Sequence, residues 1–287
     1  MNKLHGTGVA LVTPFTATGA VDMAAWERLL DFNIAGGVEY LVINGTTGES
    51  PTVTASEKNE LLDVARRHVA GRVPLVYGIG GNDTAAVEHQ LRSFDPSGIE
   101  AILSASPAYN KPSQAGILAH YQRLAEASPL PLILYNVPGR TGSNLSTDTT
   151  LKLAQHDNII GIKEASGNVE QCLAILAKKP ADFLFWSGDD MLTLPLIACG
   201  GQGIISVLGN AFPQKFSDMT RAALAGDFAR ASQLLYYFVG LNPLMYEEGN
   251  PVGVKAALAL QGVCEPAVRL PLVPASESLT ARIKALL

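Results

Sequence analysis

The chain has 287 residues, which is long for one ordinary domain but normal for an α/β barrel. Its residues are 47% hydrophobic and 16% charged, which supplies a sizeable core and excludes a disordered chain. The formal net charge of -5, without any cluster of Lys or Arg, argues against a nucleic acid or an anionic membrane as a partner.

Targeting segments and metal ligands are also not predicted. The amino terminus lacks the continuous apolar stretch of a secretion signal and later apolar runs are too short to span a bilayer, so a cytoplasmic protein is expected. Three scattered cysteines, Cys172, Cys199 and Cys264, suit reduced, buried thiols better than a disulfide framework. The five histidines show no ligand spacing, and we expect no catalytic metal.

Eight short apolar runs alternate with helical patterns along the chain. The runs are nearly continuous, as in parallel strands that are covered on both faces. Eight such β–α units predict an α/β fold, the (β/α)8 or TIM barrel. A doubly wound open sheet is the alternative, but its phosphate-binding pattern G-x-G-x-x-G fails at its last position in residues 78–83. The predicted strands cover residues 8–12, 39–43, 73–79, 101–104, 132–135, 159–163, 183–187 and 203–207.

After about Met219 the strand signal ends and helical patterns dominate. They cover residues 220–224, 228–237, 251–261 and 276–286. No Ser/Gly linker or low-complexity tract sets this part off as a mobile domain. We therefore predict a barrel over residues 1–226 and a small C-terminal helical region over residues 227–287.

In barrels of this type, function lies at the carboxyl ends of the strands. The sixth run ends on Lys163, which is followed by Glu164. Burial penalises a charged ammonium group and so favours the free amine, which is the nucleophile of carbonyl chemistry. The alternative is a lysine that pairs with Glu164, and position alone leaves both interpretations open.

Two further strand ends carry residues that packing does not explain. Tyr135 ends the fifth run, where a phenol can transfer protons, and Arg140 follows on a loop shaped by Pro138 and Gly139, where its guanidinium could bind a carboxylate. Rim packing for Tyr135 and a solvated loop charge for Arg140 are the alternatives. After the second run, the segment Asn44-Gly-Thr-Thr-Gly-Glu-Ser50 places two adjacent hydroxyls between glycines, although such loops often only turn the chain.

Together these segments resemble the dihydrodipicolinate synthase/N-acetylneuraminate lyase family. The motifs Gly45-Thr-Thr-Gly-Glu49, Tyr135-Asn-Val-Pro-Gly-Arg-Thr141 and Gly161-Ile-Lys-Glu-Ala165 occur in the family's order on the expected strands. The similarity covers nearly the whole chain, from residues 8–14 to residues 269–274. It implies a class I lyase in which Lys163 forms an imine with pyruvate and needs no external cofactor.

The resemblance also implies roles for other side chains. Thr46, Tyr109 and Tyr135 would form a proton relay, while Thr47 and the backbone at Ile205 would hold the pyruvate carboxylate. The segment 107–112 resembles one whose tyrosine reaches into a neighbouring subunit, so a homotetramer built as a dimer of dimers is expected.

The aldehyde partner follows from the same resemblance. The pattern that includes Arg140 is typical of the branch that uses an arginine to bind (S)-aspartate 4-semialdehyde. Lyases of N-acetylneuraminate or 2-keto-3-deoxy sugar acids, and a catalytically silent keto-acid-binding homologue, are the alternatives. One departure from the family, Val207-Leu-Gly-Asn210 after the eighth run, reshapes the predicted pocket wall near the imine.

The chain is expected to lack feedback inhibition by lysine. Lysine-inhibited family members carry two histidines and a glutamate at an allosteric interface, and the matching positions here are Ala55, Lys58 and Ala86, with Ala108 where an aromatic residue is common. We predict that a lysine titration leaves turnover nearly unchanged, because the contacts that bind lysine are missing. Strong inhibition at sub-millimolar lysine would contradict this.

Overall fold

A computed structural model describes residues 2–287. Among these residues, eight parallel strands close into a barrel in the order β1 to β8. Each predicted run overlaps one strand, and no predicted boundary is off by more than two residues. The strands are β1 (Gly6–Ala10), β2 (Tyr40–Ile43), β3 (Leu75–Gly78), β4 (Ala101–Ala105), β5 (Leu132–Asn136), β6 (Ile159–Glu164), β7 (Leu184–Ser187) and β8 (Gly203–Ser206).

Helices separate the strands and cover the C-terminal part, which confirms the predicted (β/α)8 barrel with C-terminal helices. The predicted pattern at residues 220–224 is the end of a longer helix, and one C-terminal helix was not predicted. The helices are α1 (Met23–Ala35), α2 (Ala55–Val69), α3 (Thr84–Arg92), α4 (Gln114–Ala127), α5 (Pro138–Thr141), α6 (Thr147–Leu153), α7 (Val169–Leu176), α8 (Thr193–Ala198), α9 (Pro213–Leu224), α10 (Phe228–Tyr236), α11 (Leu241–Tyr246), α12 (Val252–Leu260) and α13 (Glu277–Lys284).

The chain divides into two compact units. One contains the residues up to Pro74 together with Ser206–Leu287, and the other is Leu75–Ile205. The predicted boundary after residue 226 falls inside the first unit, between α9 and α10.

In the first unit, close packing joins β1 to β2 and α1 to α2. Gly8 pairs with Tyr40, and a Cβ atom at Gly8 would lie 2.1 Å from the Tyr40 ring, so this strand position requires glycine. The indole of Trp26 donates a 3.0 Å hydrogen bond to the Leu61 carbonyl in α2. Helix α2 begins with a capping box, in which the side chains of Thr54 and Glu57 bond each other's backbone amides.

In the second unit, β3 to β8 form successive parallel pairs. Gly161 allows β6 and β7 to approach, because a Cβ atom there would lie 2.4 Å from the Leu184 carbonyl oxygen. Cys172, in α7, is buried as predicted. The same prediction is wrong for Cys199, which caps α8 at its C-terminal end and is exposed.

No helix within residues 2–287 combines the length and apolar character needed to cross a membrane.

An ion pair in the first unit fixes the C-terminal segment to α2. The guanidinium of Arg269 donates to both carboxylate oxygens of Glu57, at 2.8 and 2.5 Å. This hydrogen bonding lowers the pKa of Glu57 from 4.5 to about 2, against a smaller opposing effect of burial.

We predict that Glu57→Gln weakens the fold at neutral pH by up to about 1 kcal/mol, since the pair is partly exposed to solvent. Because the folded pKa lies below the unfolded one, this contribution is present above pH 4.5 and fades as the pH falls towards 2. Urea unfolding at pH 6 and at pH 3 should therefore show a smaller difference between the two proteins at pH 3. Glu60→Gln, on the exposed face of α2, is the control. An equal Glu57→Gln difference at both pH values would contradict the assignment.

Candidate active site

The pairing of β5 with β6 brings two predicted site residues together. Tyr135 lies opposite Lys163 in the strand register, so the two side chains share one face of the sheet. The Lys163 Nζ atom is 4.4 Å from the centroid of the Tyr135 ring. Only 5% of Lys163 and 7% of Tyr135 are exposed. A primary amine and a phenol thus lie side by side in a shielded position at the carboxyl ends of two strands.

The neighbouring residues in the same register build a polar network on the opposite face. Glu164 pairs with Asn136, whose amide donates a 2.9 Å hydrogen bond to Glu164 Oε2. Gln171 donates to the same oxygen at 3.0 Å, and the Ser166 backbone N–H donates to Oε1 at 2.6 Å. Glu164 therefore binds these groups rather than Lys163, and the ion pair considered as an alternative does not form.

The Asn136–Glu164 pair was not recognised in the sequence, although the strand register contains the signal. If residues 135 and 163 are opposite each other in parallel strands, residues 136 and 164 are opposite each other on the other face. Asn136 also accepts from the Leu145 backbone N–H at 2.9 Å and donates to Asn144 at 2.8 Å. The network therefore fixes the segment that follows Arg140 to the strand that carries Lys163.

Arg140 lies on a short helix and not on the predicted loop. Pro138 occupies its first turn, where its missing N–H costs no hydrogen bond. The helix ends at Gly142, whose φ of 72° is in the left-handed region that glycine adopts readily. The Thr141 hydroxyl donates to the Ser143 carbonyl at 2.7 Å. Hydrogen bonds close the turn, while the Arg140 side chain is exposed.

Tyr109 lies next to this turn. Its backbone N–H donates to the Thr141 carbonyl at 3.1 Å, and the preceding Ala108 N–H donates to the Asn82 side chain at 2.8 Å. Tyr109 has a φ of 69° and Lys111 a φ of 47°, a conformation that costs a non-glycine residue about 1–2 kcal/mol. The surrounding bonds thus hold a strained segment that leaves 90% of Tyr109 exposed.

Thr46 and Thr47 lie in the first unit, on the 3-10 turn Thr46–Gly48 that follows β2. Thr47 is 3% exposed, and its hydroxyl accepts a 3.0 Å hydrogen bond from the side chain of Asn250. Glu49, two residues after Thr47, has a φ of 55° and a ψ of 36°, and its N–H donates to the Thr46 carbonyl. Asn250 was not recognised in the sequence, since it is 203 positions away from Thr47.

Ile205 is fully buried within β8 of the second unit. The departure from the family pattern follows in the first unit, where Gly209 has a packing reason. A Cβ atom at Gly209 would lie 2.7 Å from the Val9 side chain. Asn210 accepts from the Val12 N–H at 3.0 Å and donates to the Ala10 carbonyl at 2.8 Å, which fixes this turn to β1.

Within residues 2–287, no group of three or more His, Cys, Asp or Glu side chains is arranged to hold a metal ion.

The buried lysine and tyrosine lie at adjacent strand ends of a (β/α)8 barrel, which is where enzymes of this fold carry their active sites. The model of the Dihydrodipicolinate synthetase family matches residues 3–287, and the chain belongs to this family.

Proteins that are similar to this chain over nearly its whole length are named as synthases of this family. A 4-hydroxy-tetrahydrodipicolinate synthase of Cytophaga hutchinsonii is 52% identical over 99% of this chain and 96% of its own length. The crystal structure of dihydrodipicolinate synthase from Thermotoga maritima is 36% identical, with a TM-score of 0.95 over 98% of this chain and 97% of that one. A monomeric dihydrodipicolinate synthase variant is 35% identical, with a TM-score of 0.96 over 99% and 96% of the two chains.

Proposed function

We propose that this protein is a pyruvate-dependent lyase that condenses pyruvate with (S)-aspartate 4-semialdehyde to 4-hydroxy-tetrahydrodipicolinate, a step of lysine and diaminopimelate biosynthesis. The observation that carries the proposal is the buried amine of Lys163 beside the ring of Tyr135. Relatives that are 44–52% identical over nearly the full chain and are named 4-hydroxy-tetrahydrodipicolinate synthase support the choice of reaction.

The first half-reaction activates pyruvate on Lys163. The free amine attacks the ketone carbon, and loss of water leaves an imine. The protonated imine withdraws electrons from the neighbouring methyl group, so that a methyl proton can leave and an enamine forms. Tyr135, which lies beside the amine, transfers the protons. Thr46 and Tyr109 relay them, and Thr47 with the backbone of Ile205 holds the pyruvate carboxylate.

The second half-reaction forms the carbon–carbon bond. Arg140 binds the carboxylate of the semialdehyde through a bidentate fork, and the exposure of its side chain leaves the guanidinium accessible to a substrate. The enamine carbon attacks the aldehyde. The substrate's own amine then displaces Lys163 and closes the ring, which restores the free lysine. The lysine serves as the covalent anchor, and the reaction is proposed to need no external cofactor.

The assembly and the compartment complete the proposal. A homotetramer, built as a dimer of dimers, is proposed because 90% of Tyr109 is exposed in the single chain and the side chain is available to a second subunit. The three cysteines are free thiols, which supports a cytoplasmic enzyme.

The reaction is tested with purified protein, pyruvate and a panel of aldehydes. We predict condensation with the semialdehyde, and little or none with N-acetylmannosamine or with the aldehydes of 2-keto-3-deoxy sugar acids. Lys163→Ala should lower turnover by a factor on the order of 10⁴ or more, because the covalent nucleophile is lost. Lys152→Ala, an exposed lysine on α6, is the control. Full turnover by Lys163→Ala, or preference for another aldehyde, would contradict the proposal.

Arg140→Ala should separate the two substrates. Loss of a charged hydrogen-bonding fork should lower kcat/KM for the semialdehyde about 10²-fold. Reductive trapping of pyruvate should stay at the level of the unmodified protein, since Arg140 acts after the imine has formed. The measurement is steady-state kinetics with each substrate varied in turn, with Arg230→Ala on α10 as an exposed control. An equal loss of pyruvate trapping would show that Arg140 has a different role.

A further inference from the structure

A buried ion pair lies directly behind the 3-10 turn of Thr46 and Thr47. Lys255, in α12, has no solvent exposure, and its Nζ atom is 2.6 Å from the Glu49 carboxylate, which is 4% exposed. Lys255 also donates to the Ala267 carbonyl at 2.7 Å and lies 4.2 Å from the centroid of the Phe15 ring. Both charges are therefore removed from water and held by several partners.

Every side-chain polar atom of this ion pair makes a hydrogen bond. The second carboxylate oxygen of Glu49 accepts a 3.0 Å hydrogen bond from the Arg269 backbone N–H. Burial lowers the pKa of Lys255, and the negative charge of Glu49 opposes this effect. Replacing a buried ion pair by apolar side chains of similar volume is often neutral or stabilising, since desolvating two charges is costly. Burial of this pair is therefore weak evidence for a role in stability.

The backbone of Glu49 shows what the pair controls. Its φ of 55° and ψ of 36° are left-handed values that a non-glycine residue keeps only when its surroundings enforce them. The Glu49 N–H closes the Thr46–Gly48 turn on the Thr46 carbonyl, and its own carbonyl accepts from the Thr52 N–H at 2.9 Å and the Thr52 hydroxyl at 3.0 Å. The turns Thr46–Gly48 and Ser50–Thr52 therefore meet at Glu49, whose side chain is held in place by the ion pair.

Other contacts from the same unit reach the same turn. Asn250, just before α12, donates to the Thr47 hydroxyl at 3.0 Å. The Thr13 hydroxyl donates to the Gly48 carbonyl at 2.7 Å. The segment Asn250–Lys255 thus holds the turn at two points, once through the Thr47 hydroxyl and once through Glu49.

We infer that Lys255, acting through Glu49, is a positioning residue that orients the hydroxyls of Thr46 and Thr47 for pyruvate. Lys255 does not itself touch the substrate. The inference rests on the proposed function, and it assigns a catalytic purpose to the C-terminal helix α12. It concerns pyruvate alone, because Thr47 is the residue assigned to its carboxylate.

The test is a neutral double variant, Glu49→Gln with Lys255→Met, which removes both charges together and leaves no lone buried charge. Its melting temperature should stay near that of the unmodified protein. Its KM for pyruvate should rise about tenfold, since a small displacement of a binding group weakens the productive geometry. The KM for the semialdehyde should change less than twofold, and pyruvate at saturation should still be trapped on Lys163.

The matched control is the exposed ion pair Glu247–Arg282 in the same C-terminal region. Glu247→Gln with Arg282→Met makes the same kind of charge change and should leave both KM values unchanged. If the buried double variant does not fold, Glu49→Met with Lys255→Met, which puts apolar side chains of similar volume in both positions and also leaves no lone buried charge, gives the same comparison.

The outcomes distinguish a failure of the proposed function from a failure of the positioning role of Lys255. Unmodified protein that captures no pyruvate on Lys163 would refute the proposed function itself. A buried double variant whose pyruvate KM stays within twofold of the unmodified value, in a protein that does capture pyruvate, would overturn only the positioning role. Equal rises of both KM values would also overturn it, because they would indicate general loosening of the fold.

Discussion

The parallel register of β5 on β6 is the constraint on which the arrangement of Lys163 and Tyr135 depends. It places Tyr135 opposite Lys163 on one face and Asn136 opposite Glu164 on the other. Each face then has a separate task. The first face holds an amine next to a phenol, and the second holds a carboxylate that is saturated by three hydrogen-bond donors.

This separation explains how a glutamate can directly follow the lysine that is proposed as the nucleophile. Strand geometry turns consecutive side chains to opposite faces, so Glu164 cannot reach the Lys163 amine while β6 remains a strand. The carboxylate instead joins β6 to Asn136 and Gln171, and a shift of one strand relative to the other would break this network and the Tyr135–Lys163 contact together. The Tyr135–Lys163 contact and the strand pairing therefore depend on the same register.

The first unit fixes its threonines by another means. No strand continues through Thr46 and Thr47, so their backbone needs an external support, and a left-handed Glu49 held by Lys255 supplies it. The ion pair joins positions 206 residues apart, which makes the C-terminal helix part of the site's framework.

Local sequence patterns predicted the barrel well because each strand is a continuous apolar run and each run is short. The same logic made Lys163 a candidate nucleophile, since a lysine that ends such a run is unusual, and this role stays a prediction. It missed the helical turn around Arg140, although Pro138 and Gly142 are local signals for it. It also failed where the outcome depends on contacts between distant residues, as in the exposure of Cys199 and the pairing of Glu49 with Lys255. Lys255 lies in an apolar helix, and nothing in its local sequence indicates a buried partner, because Glu49 is 206 positions away.

The most direct test of the account is a peptide map of the protein after treatment with borohydride and saturating pyruvate. If Lys163 forms the imine, one pyruvate-derived adduct is expected. Mass spectrometry should locate it on the side chain of Lys163, and it should be absent when pyruvate is left out. An unmodified Lys163, or an adduct on another lysine, would contradict the account.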